Sequence, residues 1–240
     1  MKRIVAMVLF LALSLTMLSG AEAEGEKVVY LTFDDGPKAA TPELLEVLEE
    51  LDVPATFFLV GYAARAFPEY VRMIDERGYA IGCHTMDHSS SGIKETPEGL
   101  ERIMHMFNEE ISTCLGREFT TDLFRFPGGS SSYPGKCKTV LTSMGVAWFD
   151  WNAMTGDTHE DMNRNKVVSY VKKTSTPEEE VVILLAHDGK KMTREALPEI
   201  VDFYKEQGYT FRMLSTDMSE REYLERCSAH MGLPDLIGGN

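Results

Sequence analysis

Short apolar runs alternate with amphipathic segments along most of this chain, and that alternation restricts its fold more than any other feature. Residues 28–33, 55–60, 79–83, 123–126, 146–151, 181–186 and 210–214 read as seven strands rich in β-branched and aromatic side chains. They show little period-two alternation, as expected of parallel strands covered on both faces. Helical spacing predicts helices between them. Leu44, Leu45, Leu48 and Leu51 follow Thr41-Pro42-Glu43, a helix start with Thr41 as N-cap. Others are expected over 68–77, from Thr96 to Leu115, and over 137–144, 165–173, 193–207 and 219–231, with Pro198 in or near the first turns of its helix. The 240 residues contain no linker-like segment and no internal repeat, so one domain is expected. A barrel of (β/α) units of about seven parallel strands is favoured over an open doubly wound sheet. No Gly-x-Gly-x-x-Gly follows the first strand, so a dinucleotide fold has no support.

The N-terminus carries a different signal. Met1-Lys2-Arg3 is basic, residues 4–18 are apolar, and Ser19, Gly20, Ala21 and Ala23 are small. This is the pattern of an export signal cleaved after Ala21 or Ala23. The apolar run of about 15 residues is shorter than the ~20 needed to span a bilayer, which weighs against a retained anchor. Residues 1–23 are therefore assigned to a signal peptide and 24–240 to the mature domain, which would be secreted or envelope-associated. The net charge of −14 becomes more negative once Lys2, Arg3 and Glu22 are removed, and phosphate would be repelled. Nucleic acid is excluded as a partner; a neutral or cationic substrate is not. Cys83, Cys114, Cys137 and Cys227 permit disulfides in three pairings, and no Cys-x-x-Cys suggests a zinc ribbon.

In a parallel barrel, chemistry gathers at the carboxyl ends of the strands. The first strand runs into Asp34-Asp35-Gly36-Pro37, two carboxylates that repel unless a cation or a shared proton relieves them. The third runs into His84-Thr85-Met86-Asp87-His88, whose imidazoles, four apart, can face one cation. With one carboxylate they would make a two-His, one-carboxylate set with open positions. The fourth strand brings Arg125, whose guanidinium cannot lose its charge and needs a carboxylate; Asp34 is the natural partner. The fifth leads to Asp150-Trp151 and on to Asp157, and the sixth ends at His187. His105 and His230 read as surface residues, and His159 stays undecided.

These motifs resemble those of the polysaccharide deacetylases, the NodB-homology domain of carbohydrate esterase family 4. Thr32 to Pro37 (TFDDGP), His84 to His88 (HTMDH), Phe124 to Gly129 (FRFPGG) and Ile183 to Asp188 (ILLAHD) arrive in the family's order, and the resemblance spans roughly residues 27–214. It implies a deformed (β/α) barrel and metal-dependent removal of acetyl from an N-acetylated sugar polymer, such as peptidoglycan or a chitin-type chain. Asp35, His84 and His88 would hold the divalent cation, most often Zn2+, with Co2+ or Ni2+ able to serve. Asp34 would be the general base, Arg125 would orient it, and His187 would be the general acid. Leu185 would help form the pocket for the acetyl methyl. An oxyanion would be met by the cation and a backbone N–H of the Arg125–Gly129 loop.

Two departures from the family pattern bear on substrate shape. Gly128 stands where an aromatic usually follows the third motif's proline. In the fourth motif, Asp150-Trp151 matches the usual letters but lies within the strand. Aligning Trp151 with the family's strand tryptophan instead places Asp157 as the residue that tunes His187 and Thr158 on the groove tryptophan. Asp157 is preferred because it follows the strand's end. Two other functions compete: O-deacetylation of acetylated xylan, and carbohydrate binding without catalysis, which the full set of site residues disfavours.

Overall fold

The first strand, β1 (Lys27–Gly36), carries the rest of the sheet on both its edges. The computed structural model describes residues 26–90, 93, 96, 99–176, 179–217, 224–225 and 230–232. On one edge β1 pairs in parallel with β7 (Val181–His187), from Val28 opposite Val181 to Asp34 opposite His187. On the other it pairs first with β8 (Tyr209–Arg212) and then with β2 (Thr56–Leu59), both parallel. Parallel strands β3 (Ala80–Cys83), β4 (Leu123–Phe124) and β5 (Ala147–Phe149) continue from β2, and β9 (Met231–Gly232) closes that end antiparallel to β5. Beyond β7 lies β6 (Ala153–Met154). Among the described residues seven α-helices cover this curled sheet: α1 (Thr41–Glu50), α2 (Gly61–Ala66), α3 (Pro68–Glu76), α4 (Gly99–Leu115), α5 (Gly135–Ser143), α6 (Arg164–Thr174) and α7 (Lys191–Glu206). The result is a single-domain (β/α) barrel, as the alternation predicts, deformed as the family resemblance implies.

Burial of both strand faces explains the missing period-two pattern. Val29, Leu31 and Phe33 pack with helix residues such as Leu44, Leu48 and Ile200. The intervening Val28 and Tyr30 join Phe58, Leu123, Phe149 and Ile183 in a second cluster inside the barrel. Each such side chain contributes about 1.5–3 kcal/mol when fully buried, so neither face tolerates an unpaired polar residue cheaply. Thr32 and Asp34 continue the inward-facing series of β1, and both are buried.

The structure differs from the sequence expectation in several places. β1 does not stop at the acidic pair but runs through it to Gly36, because Asp34 still pairs with β7 and β2. There are nine strands among the described residues rather than seven. The expected strand over 146–151 ends at Phe149, and the chain re-enters the sheet as β6. The six-residue α2 was not anticipated; it opens on Gly61 and is too short for helical periodicity to register. Thr41 is the first residue of α1 rather than its N-cap, which is Ala40. Pro198 lies well inside α7, beyond the first turns. Most of the helix expected over 219–231 falls outside the described residues, and Met231 is in β9, not a helix. The expected signal peptide and the Pro97-Glu98 helix start also lie outside them.

Candidate active site

The rim chemistry begins where β1 ends. Asp34 keeps its place in the ladder, opposite His187 on one side and Phe58 on the other. The register with β2 slips between Asp34 and Gly36, so Asp35 is the extra residue of a bulge and its side chain is re-aimed. Asp35 adopts φ 70°, a left-handed conformation that Asp tolerates better than most residues. The loop after β3 does the same twice, at Thr85 (φ 67°) and His88 (φ 60°). Backbone of this kind costs about 1–3 kcal/mol per residue and persists where its surroundings hold it. Here the N–H groups of Gly61 and Tyr62, at the start of α2, donate to the carbonyls of Thr85 and Met86 at 3.0 and 2.8 Å.

The three strained positions bring three donors together. Asp35 Oδ1 lies 3.6 Å from His84 Nε2 and 3.4 Å from His88 Nε2, and the ligand atoms all fall within 4.8 Å of one another. Their chemistry fits a divalent cation on two independent counts. Asp35 Oδ1 is buried without a hydrogen-bond partner among the described residues. His84 Nδ1 donates to the Arg125 carbonyl at 2.9 Å, which leaves the Nε2 lone pair facing the cluster. Burial lowers the His84 pKa against the opposing pull of Asp34, so the imidazole favours its neutral, ligating form.

Arg125 sits beneath this cluster, completely buried. Its Nη1 donates to Asp34 Oδ1 at 2.9 Å and to Thr32 Oγ1 at 2.6 Å. Nε donates to the Phe149 carbonyl at 3.0 Å and Nη2 to the Asp150 carbonyl at 3.1 Å. Arg125 Cζ lies over the Phe58 ring, 4.2 Å from its centroid. Asp34 is therefore a buried carboxylate with a fixed counter-charge, and its other oxygen is 3.7 Å from His84 Nε2.

On the facing strand, His187 Nδ1 donates to Asp157 Oδ1 at 2.7 Å. Asp157 Oδ2 accepts from the His187 backbone N–H at 3.0 Å and from Thr193 Oγ1 at 2.7 Å. Burial works to lower the His187 pKa, but the Asp157 hydrogen bond and charge outweigh it and carry it above its ordinary value. For Asp157 burial works upward, and the bonds from His187 and Thr193 bring it below the usual carboxylate range. Asp150 has a different place: its carboxylate accepts from Ser130 N at 2.8 Å and Ser130 Oγ at 2.5 Å, anchoring the loop after β4.

Gly128 and Gly129 in that loop take φ 72° and 86°. A Cβ at Gly129 would meet Trp151 Cη2 at 3.3 Å, so Trp151 packs on the loop. Leu185 is buried on β7, opposite Thr32 and two residues before His187. Cys83, Cys114 and Cys137 are buried, and no disulfide joins them; Cys227 lies outside the described residues. His105 is exposed beside Glu109, and His159 is exposed with its ring edge-on to Tyr170. Sequence reasoning missed Thr32 and Thr193, the hydroxyls that steady Arg125 and Asp157. A buried threonine inside an apolar strand is the signal that could have found Thr32.

A family model for polysaccharide deacetylase matches residues 21–148. A peptidoglycan-N-acetylglucosamine deacetylase of Bacillus cereus is 31% identical over 193 residues, covering 77% of this chain and 68% of that protein. The peptidoglycan-N-acetylmuramic acid deacetylase PdaA of Bacillus subtilis is 29% identical over 204 residues, covering 82% and 73%. Among solved structures, a CE4 esterase of Streptococcus mutans superposes with a TM-score of 0.73 at 30% identity, covering 79% of this chain and 87% of that one.

Proposed function

Because the chain belongs to the polysaccharide deacetylase family, we propose that it is an exported, cation-dependent N-deacetylase that hydrolyses the acetamide of N-acetylated sugars in peptidoglycan. The observation that carries this reading is the Asp35–His84–His88 cluster with the buried, Arg125-paired Asp34 against it. A divalent cation held by those three residues would supply Lewis acidity, polarising the acetamide carbonyl and making water more acidic. Asp34, oriented by its bond from Arg125, takes the proton of the attacking water. His187, its pKa raised by Asp157 against its burial, gives a proton to the departing amine. Leu185, Trp151 and the Gly128–Gly129 turn offer the acetyl group its apolar surroundings. The muramic acid and glucosamine deacetylases among its relatives support a peptidoglycan substrate.

The test is acetate release from peptidoglycan glycan, chitin oligomers and acetylated xylan, before and after chelation. Activity on the N-acetylated polymers should vanish with a chelator and return with added Zn2+ or Co2+. Turnover that survives complete chelation would remove the cation from the reading, and turnover confined to xylan would replace the amide with an ester. Export rests on the basic, apolar and small-residue pattern of residues 1–23. Mass spectrometry of the extracellular protein should find an N-terminus just after Ala21 or Ala23.

The pH profile tests the acid. The His187 pKa is raised chiefly by Asp157 against its burial, so the protonated form persists to higher pH than an isolated imidazole would allow. Asp157→Asn removes that charge and lets the His187 pKa fall. The basic limb of kcat/KM against pH should then move to lower pH, whereas Asp150→Asn should leave the limb in place. An unmoved limb in Asp157→Asn would rule out His187 as the group that titrates there.

A further inference from the structure

Asp188 follows His187 and has no part in the proton transfers described above, yet it is buried to 3% exposure and faces the back of the β1 turn. Its Oδ2 accepts from Thr41 Oγ1 at 2.5 Å, and Thr41 Oγ1 in turn accepts the Lys38 N–H at 2.7 Å. Its Oδ1 is buried without a hydrogen-bond partner among the described residues. An unpaired oxygen in that position costs stability, so a carboxylate there needs a reason beyond packing. The reason lies in what it presses against. A Cβ at Gly36 would sit 2.4 Å from Asp188 Oδ2, so the carboxylate fills the space directly behind the residue that follows Asp35.

Three further bonds complete a frame around the bulge. The Asp188 N–H donates to the Asp34 carbonyl at 2.9 Å, and the Val60 N–H donates to the Gly36 carbonyl at 2.9 Å. The Thr41 N–H donates to the Lys38 carbonyl at 3.0 Å. Asp34 and Gly36 are thus each tied to a neighbouring strand's end, while Asp35 between them holds its left-handed conformation. A Cβ at Gly189 would lie 3.1 Å from the Lys38 side chain, so the 188–189 turn covers the 36–38 turn closely.

We propose that Asp188, locked by Thr41, is a positioning residue for the cation site. Its carboxylate backs Gly36 and so keeps Asp35 in the strained conformation that aims Oδ1 at His84 and His88. Asp188 does not touch the cation or substrate; it acts through Asp35. The inference rests on the cation reading above. Groups that orient a ligand in this way typically carry 10–100-fold of the metal affinity.

The experiment measures Zn2+ dissociation constants by dye competition, without substrate, for the purified protein and for Asp188→Ala, Asp188→Asn, Thr41→Val and Thr41→Ser. Ser175→Ala, which removes the buried bond to Tyr204 outside the site, controls for general loss of stability. Asp188→Ala and Thr41→Val should each bind Zn2+ about 10–100-fold more weakly. Thr41→Ser, which keeps the hydroxyl, and Ser175→Ala should stay within about threefold of the parent. If Asp188→Ala does not fold, the contrast between Thr41→Val and Thr41→Ser decides. Parental affinity in the folded Asp188→Ala or Thr41→Val would overturn the positioning role while leaving the cation site standing. A parent protein that binds no Zn2+ would overturn the cation reading and this proposal together.

Discussion

Asp34→Asn is expected to lower kcat by about 10²–10⁴-fold, the range that a positioned general base contributes. Zn2+ affinity should stay close to that of the parent, because the ligand set of Asp35, His84 and His88 is untouched. The amide can still accept from Arg125 through its oxygen, so the side chain keeps its place while losing its basicity. Substrate affinity should change little, and the loss should fall on kcat rather than KM. The adjacent carboxylate cannot substitute, since Asp35 points its Oδ1 to the two imidazoles. A variant that keeps more than a tenth of parental turnover would remove Asp34 as the base and turn attention to His187.

The second large effect concerns folding rather than rate. Arg125→Met should destabilise the protein by about 3–5 kcal/mol, the usual consequence of leaving a buried charge without its partner. In a chain of this size that corresponds to a fall in Tm of roughly 6–20 °C. The groups that lose their partner are specific: Asp34 at 3% exposure and the carbonyls of Phe149 and Asp150, while the Thr32 hydroxyl keeps only its own bond to the Leu184 carbonyl. Lysine at position 125 should recover little, because a single ammonium cannot reproduce donors set in a planar fork toward three separate elements. The double variant Arg125→Met with Asp34→Leu should regain part of the loss by removing the stranded carboxylate. Thermal denaturation of the set checks this, and a Tm for Arg125→Met within a degree or two of the parent would contradict it.

Both predictions use residues that could be picked out before any coordinates. Asp34, Asp35, His84, His88, Arg125 and His187 stand at the ends of apolar runs, and a parallel barrel gathers strand ends at one rim. Asp157 meets His187, but the reason read from the sequence does not hold: β5 ends at Phe149, so Asp150 lies past the strand's end as well, and only the bond across to β7 separates the two. What could not be read depended on distant pairing. The two residues of β6 have no pattern of their own and are strand only because β7 lies beside them. The six residues of α2 give too little sequence for a helical period. Thr41 looked like a cap because its neighbours Pro42 and Glu43 belong to a helix start, whereas its hydroxyl is engaged by Asp188, 147 residues away. No local signal announces such a bond.

The reach of the Arg125 guanidinium also limits how this chain could change over evolutionary time. From just beyond β4 it touches β1, the end of β5 and the turn leading to β6, a stretch where the described strands β5 and β6 share no ladder. One side chain thereby serves both the seam of the barrel and the proposed base, Asp34. A descendant that abandoned hydrolysis for mere sugar binding could discard the half-exposed His88 at modest structural expense, whereas loss of His187 would strand the buried Asp157. It would be expected to keep Arg125 and Asp34 long after their chemistry had lapsed, so the survival of that pair alone is weak testimony of activity. The exposed His88, a member of the proposed cation site, is the more telling residue to inspect in a divergent relative.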